Sequence, residues 1–295
     1  MLRGTFTAIV TPFSADGQNV DFEALEALVE AQIEGGVNGL VPCGTTGEAP
    51  TLTDEEQVSV IERVVKTVKR RVPVVAGTGT FSTKKSVAAS KAALAAGADG
   101  VMIVMPYYNK PSQEGLREHV VTIAHAVGAP VIVYNIPGRS VVDLSAETTA
   151  KICEKAPNVV GLKDATGNVL RCQELKNMLG DRLTILSGDD GLTLPMMSVG
   201  ASGVISVTSN VRPREVSEVT RRFFAGDLEG ARRQHFALLA LHSAMFVEPN
   251  PAPAKAALAL AGKMNPCVRL PLAPATESAI VRVKAALAQL DSVKT

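Results

Sequence analysis

A lysine closes a short apolar run in Gly161-Leu162-Lys163-Asp164-Ala165-Thr166-Gly167. Lysine is strongly hydrated and rarely sits at the buried end of a strand, so its type and place together point to chemistry. Stripped of water, a side-chain amine falls from its ordinary pKa of about 10.4 by as much as roughly 3 to 5 pH units when fully buried. At the ordinary value only about one molecule in a few thousand is neutral near pH 7. A fall of about 3 therefore multiplies the available nucleophile roughly a thousandfold, and a neutral amine attacks a carbonyl carbon to form a Schiff base.

Other residues could serve such an amine. Tyr134 carries a phenol able to move protons while a carbinolamine forms and collapses. Thr45 and Thr46, in Gly44-Thr45-Thr46-Gly47-Glu48, put two hydroxyls beside successive backbone amides, which suits a small carboxylate. Arg139, in Pro137-Gly138-Arg139, can clamp a second carboxylate. Each has a plain structural counterpart. A lysine can snorkel to water, a buried tyrosine can be a core aromatic with a satisfied hydroxyl, threonines can shape a turn, and an arginine can be a solvated loop cation. Position separates the two readings.

Eight short β-branched runs recur, at 6–10, 39–42, 74–77, 101–104, 131–134, 159–163, 183–186 and 203–206, each bounded by Gly or Pro. Amphipathic stretches lie between them, at 22–34, 54–70, 84–96, 114–126, 146–155 and 214–224, and Gly35-Gly36, Gly97 and Gly128 supply helix stop signals. Thr53 and Glu56 offer a capping box for the second of these helices. Near-continuous apolar strands alternating with helices predict a parallel sheet covered by helices. Eight such units, with no GxGxxG loop after a strand, predict an α/β fold, a (β/α)8 TIM barrel. Residues 1–226 form the barrel in this reading, and 227–295, rich in Ala and Leu and broken by prolines at 249–251 and 271–274, form a C-terminal helical extension.

Active sites of such barrels lie at the C-terminal ends of the strands, where this sequence concentrates its unusual residues. All three tyrosines, Tyr107, Tyr108 and Tyr134, fall at such ends, as do Thr45, Thr46, Lys163 and Ser187-Gly188-Asp189-Asp190. If Val160 and Leu162 face the helices, then Val159, Gly161 and Lys163 face the interior, with Gly161 leaving room below the amine and Asp164 turned away. That phase favours the nucleophile over the surface cation.

Composition narrows the function classes. Of 295 residues 46% are hydrophobic, enough for a large core, and 30 Lys plus Arg against 29 Asp plus Glu leave a net charge of +1. Neither nucleic acid nor an anionic membrane is an expected partner. The opening MLRGTFTAIVTPFSADG breaks at Pro12 and Asp16 before a secretory core could form, and no apolar run approaches the roughly 20 residues of a membrane span. Cys43, Cys153, Cys172 and Cys267 are widely spaced, which fits reduced thiols in a cytoplasmic protein. With His119, His125, His235 and His242 they make no metal-ligand pattern.

GTTGE (44–48), PYYNKPSQEG (106–115), YNIPGRS (134–140), GLKDATG (161–167), LSGDD (186–190), GVISVTSN (203–210) and FVEPNPAP (246–253) occur in this order over nearly the whole chain, which in them resembles the dihydrodipicolinate synthase family. The resemblance implies a lyase that condenses pyruvate with L-aspartate 4-semialdehyde to 4-hydroxy-tetrahydrodipicolinate in the diaminopimelate route to lysine. It implies no metal and no organic cofactor. By motif, Lys163 forms the imine and Tyr134 donates and accepts protons. Thr45 and Tyr108 complete a proton relay, Thr46 and the Ile205 backbone bind pyruvate, and Arg139 holds the semialdehyde carboxylate. A homotetramer, a dimer of dimers in which Tyr108 reaches into a neighbouring subunit, comes with the same resemblance.

Family members inhibited by lysine use histidines, an asparagine and a glutamate where this sequence has Asp54, Gln57, Phe81 and Lys85, with Ala49 and Pro50 nearby; only Tyr107 keeps its type. Lys85 puts a cation where the ligand's ammonium needs an anion, so inhibition by L-lysine is expected to be weak or absent. N-acetylneuraminate lyase and the 2-keto-3-deoxy sugar-acid and hydroxy-oxoglutarate aldolases share the barrel, lysine and tyrosine; the second threonine of GTTGE, Tyr107-Tyr108 and Arg139 favour the synthase. A non-catalytic keto-acid-binding barrel is disfavoured by retention of Lys163, Tyr134, Thr45 and Tyr108. A phosphate-binding barrel isomerase lacks its glycine-rich loop after strand eight.

Overall fold

Eight strands alternate with helices in the computed structural model, which describes residues 2–293. The strands are β1 (Gly4–Ala8), β2 (Gly39–Val41), β3 (Val75–Gly77), β4 (Gly100–Val104), β5 (Val131–Asn135), β6 (Val159–Asp164), β7 (Thr184–Ser187) and β8 (Gly203–Ser206). The helices are α1 (Phe22–Glu34), α2 (Asp54–Val68), α3 (Thr83–Ala95), α4 (Gln113–Val127), α5 (Pro137–Ser140), α6 (Ala146–Lys155), α7 (Val169–Leu179), α8 (Thr193–Ser198), α9 (Pro213–Phe224), α10 (Leu228–Ala244), α11 (Ala252–Leu260) and α12 (Glu277–Ser292). The sheet runs β2-β1-β8-β7-β6-β5-β4-β3, and the paired strands are parallel. This is the strand order of a (β/α)8 barrel, here with added C-terminal helices. Met1 and residues 294–295, the outer ends of the two expected segments, lie outside the described residues.

The chain divides into two compact units. One holds Val74–Ile205 with Leu2 and Arg3, and thus β3 to β7 and most of β8. All five residues of β5 are buried, as are Val101, Met102 and Ile103 of β4, because helices cover one face and side chains fill the other. Burying each such Val or Ile side chain stabilises the fold by about 1.5 to 3 kcal/mol. Near the C-terminal ends of these strands Val104 pairs with Tyr134, Tyr134 with Lys163 and Lys163 with Leu186. Between β5 and β6 the register slips once, Val131 opposite Val159 but Ile132 opposite Gly161, so that Val160 is the inserted residue. That slip brings Lys163 level with Tyr134.

Backbone bonds and close packing fix the loops at the strand ends. Ala165 donates its N–H to the Asn135 carbonyl at 2.9 Å, and Gly188 donates to the Asp164 carbonyl at 2.6 Å. A Cβ on Gly188 would stand 2.7 Å from Ala165 Cβ, so only glycine lets the loop after β7 approach so closely. Asp164 is buried and accepts from Arg171 Nε on α7 at 3.0 Å, which holds its carboxylate on the helix. α7 and α8 are not among the helical stretches read from the sequence, and α7 buries a cation, Arg171.

The second unit holds Gly4–Pro73 and 206–293. β1 is wholly buried, and Phe6 lies opposite Gly39 of β2, whose missing side chain makes room for the ring. The Thr53–Glu56 capping box forms as expected at the start of α2, which ends at Val68, with Lys69 and Arg70 in the left-handed conformation. α9 packs on β1, α10 on α9, and α12 on α10 and α11. Among the described residues no helix is long and apolar enough to cross a membrane, and no group of three or more His, Cys, Asp or Glu is placed to hold a metal ion.

Candidate active site

Lys163 is 4% exposed, although lysine is strongly hydrated. The register slip after Val131 makes it the strand partner of Tyr134, and its Nζ lies 4.1 Å from the centre of the Tyr134 ring. Burial lowers the Lys163 pKa from 10.5 to about 8, the nearby Asp190 carboxylate opposes this, and the Arg139 cation adds to it. About one amine in ten is then neutral near pH 7, against about one in a few thousand at the ordinary value. Gly161 does not leave open space beneath the amine. A Cβ there would meet Leu2 Cδ1 at 3.0 Å, Ile132 Cγ1 at 3.4 Å and the Thr184 carbonyl oxygen at 3.5 Å, so the room is already filled.

Two residues to which the sequence assigns no role shape this surface. Asp190 is 1% exposed at the end of the loop after β7, and its charge reaches Lys163. Asn135 is fully buried and ties down the loop that carries Arg139, its Nδ2 donating to Asp143 Oδ1 at 2.7 Å and its Oδ1 accepting from Leu144 N at 3.1 Å. Ser140 adds bonds to the Ile136 and Val142 carbonyls at 2.9 and 3.0 Å. Arg139 itself is exposed on α5. The clue in the sequence is a polar residue at or just after the end of an apolar run, which Asn135 and Asp190 share.

Ile205 is buried in β8, one residue beyond the Ser187–Val204 pairing. Tyr107 packs edge-on against Phe81 at 5.4 Å, and partial burial pushes its hydroxyl pKa up. Tyr108 is 90% exposed and held at a φ of 73°, so its ring projects from the chain into solvent.

Thr45 and Thr46 stand in the second unit, in the turn after β2. Thr45 is half-buried, and its carbonyl accepts from the Glu48 N–H at 3.1 Å. Thr46 is buried, and its hydroxyl accepts from Asn250 Nδ2 at 3.0 Å. Glu48 adopts a left-handed φ of 54°, with its carboxylate between Lys255 Nζ at 2.5 Å and the Arg269 N–H at 2.9 Å. Lys255 is fully buried and lies 4.1 Å from the centre of the Phe13 ring; burial lowers its pKa while Glu48 opposes the change. Glu48 and Asn250 lie within the GTTGE and FVEPNPAP motifs but receive no role there, and Lys255 and Arg269 lie outside the motifs; 204 positions separate Thr46 from Asn250, and no local pattern joins them.

A buried lysine with a lowered pKa at the C-terminal end of a strand, level with a tyrosine, in a parallel (β/α)8 sheet, defines a class: barrel proteins equipped to form an imine with a carbonyl compound. Within that class, the chain belongs to the dihydrodipicolinate synthetase family, whose model matches residues 1–290. It is 69% identical over 291 residues to the 4-hydroxy-tetrahydrodipicolinate synthase of Sorangium cellulosum, covering 99% of this chain and 97% of that protein. Among solved structures it superposes on the 4-hydroxy-tetrahydrodipicolinate synthase of Methylacidiphilum fumariolicum SolV with a TM-score of 0.96 at 43% identity, covering 99% of this chain and 96% of that one. It also matches the chloride-inhibited dihydrodipicolinate synthase of Acinetobacter baumannii, solved in complex with pyruvate, with a TM-score of 0.96 at 43% identity over 99% of this chain and all of that one.

Proposed function

We propose that this chain is a 4-hydroxy-tetrahydrodipicolinate synthase, a lyase that condenses pyruvate with L-aspartate 4-semialdehyde. The observation that carries the reading is the buried Lys163 amine, with its pKa near 8, over the Tyr134 ring. The pyruvate complex of the Acinetobacter baumannii relative supports the choice of keto acid.

Chemistry follows from the state of the amine. Neutral Lys163 adds to the ketone carbon of pyruvate, and Tyr134 supplies the proton with which the carbinolamine hydroxyl leaves as water. The protonated imine then draws electrons from the methyl group, a methyl proton departs, and the enamine carbon bonds to the aldehyde carbon of the semialdehyde. Finally the semialdehyde's own amine attacks the imine carbon, closing the ring and releasing Lys163. In this reading Thr46 and the Ile205 backbone hold the pyruvate carboxylate, Thr45 and Tyr108 relay protons with Tyr134, and Arg139 binds the semialdehyde carboxylate. No metal or organic cofactor is needed, because the lysine is itself the electron sink.

The same reading includes a cytoplasmic homotetramer in which Tyr108, with its exposed ring, enters a neighbouring subunit. Residues 1–226 carry the chemistry, and 227–295 act as a helical appendage. It also includes weak or absent inhibition by L-lysine, supported by the exposed Lys85 in the first turn of α3.

Borohydride reduction in the presence of pyruvate should add the mass of the reduced adduct at Lys163; an unmodified Lys163 would sink the imine reading. A coupled assay then compares aspartate semialdehyde with sugar-derived aldehydes as acceptors. Preference for a sugar aldehyde would move the chain to the sugar-acid aldolases.

A further inference from the structure

We propose that Asn250 is a positioning residue that sets the direction of the Thr46 hydroxyl, turning its single proton toward the carboxylate of the keto acid. This rests on the reading of Thr46 as a carboxylate-binding group.

An amide nitrogen can only donate, whereas a hydroxyl has one proton and two lone pairs. Asn250 Nδ2 donates to Thr46 Oγ1 at 3.0 Å, with Asn250 5% and Thr46 2% exposed. One lone pair of the hydroxyl is thereby occupied, and its proton is left for an acceptor outside the pair. Thr46 thus presents a donor, the polarity an anion needs.

The turn around Thr46 has little other freedom. Thr11 Oγ1 donates to the Gly47 carbonyl at 2.8 Å. Glu48, in its left-handed conformation, is gripped by Lys255 and the Arg269 N–H. Arg269 in turn makes two 2.6 Å bonds to Glu56. With the backbone fixed on both sides, rotation of the Thr46 hydroxyl is the remaining variable, and Asn250 fixes it.

A purely structural tie would leave Asn250 fully satisfied. Instead its Oδ1 is buried without a hydrogen-bond partner, an arrangement that costs stability. An apolar side chain of similar size would avoid that cost, so stability alone does not account for an asparagine here.

The test is a double-mutant cycle on the full chain, reading kcat and KM for pyruvate at saturating semialdehyde. T46V and N250A should each raise KM about tenfold, the loss of one charge-assisted hydrogen bond, with kcat within about threefold of the parent. The N250A/T46V double variant should be no worse than T46V, because Asn250 acts only through that hydroxyl. N250L fills the volume without offering a donor and should match N250A, which separates lost orientation from a cavity. T46S keeps the hydroxyl and should recover most of the KM lost in T46V.

If T46V leaves KM unchanged, the carboxylate reading falls and this inference with it. If T46V raises KM while N250A and N250L do not, or their effects add to that of T46V, the inference falls and the carboxylate reading stands.

Discussion

Lys163 Nζ lies 4.1 Å from the centre of the Tyr134 ring, and the two residues are direct register partners on adjacent parallel strands. Burial strips water from the ammonium, while the ring face offers a site where positive charge is favourable. These effects oppose one another. Burial, opposed by Asp190 and aided by Arg139, puts the pKa near 8, which leaves the neutral amine accessible near pH 7; the ring face makes the same position hospitable to the protonated imine that replaces it.

Tyr134→Phe keeps the ring and removes the phenol. It should lower kcat by about 100-fold or more, the usual scale for a lost general acid–base, while borohydride still traps pyruvate at Lys163. A Phe variant within about threefold of the parent would show that protons move by another route.

The pH dependence of imine formation should report the two charges beside Lys163. Trapping by pyruvate should rise as pH increases through about 8. Asp190 raises the Lys163 pKa, so Asp190→Asn should move the rising limb to lower pH. Arg139 lowers it, so Arg139→Gln should move the limb to higher pH. Limbs that shift in the same direction would contradict the charge arrangement.

Stability carries the same signature. The folded-state pKa of Lys163 lies below its value of 10.5 in the unfolded chain, so between about 8 and 10.5 the unfolded chain binds the extra proton and stability rises with pH. Below about 8 the folded state carries a buried ammonium, which costs about 3 kcal/mol. Lys163→Met, similar in volume and uncharged, should therefore resist urea better than the parent at pH 7, with the gap closing as pH rises from about 8 to about 10. A gap independent of pH would mean that the Lys163 pKa is not lowered in the folded chain.

L-Lysine at low millimolar concentration should leave the steady-state rate unchanged, and calorimetry should detect no tight binding. Lys85→Glu restores an anion at that position. If lysine then begins to inhibit, the repulsion argument holds; clear inhibition of the parent would refute it.

The local elements of this protein are written in its sequence. Alternating apolar runs and amphipathic stretches mark the strands, the Thr53–Glu56 spacing marks the start of α2, and strand periodicity turns Lys163 inward. These depend on neighbours a few residues apart, where side-chain direction repeats every two or 3.6 residues. α7 escapes that logic because its buried face includes Arg171, a charged residue paired with Asp164, so apolar residues alone do not mark that face.

Only the tertiary structure decided the slip at Val160, which makes Lys163 the partner of Tyr134, and the burial that brings Asp190 and Arg139 to bear on the amine. The same holds for Thr46 with Asn250, 204 positions apart, and for Glu48 with Lys255, a pair as distant along the chain. Periodicity says which way a side chain points. What it meets there depends on strand register and loop closure, and those form only when distant segments pack together.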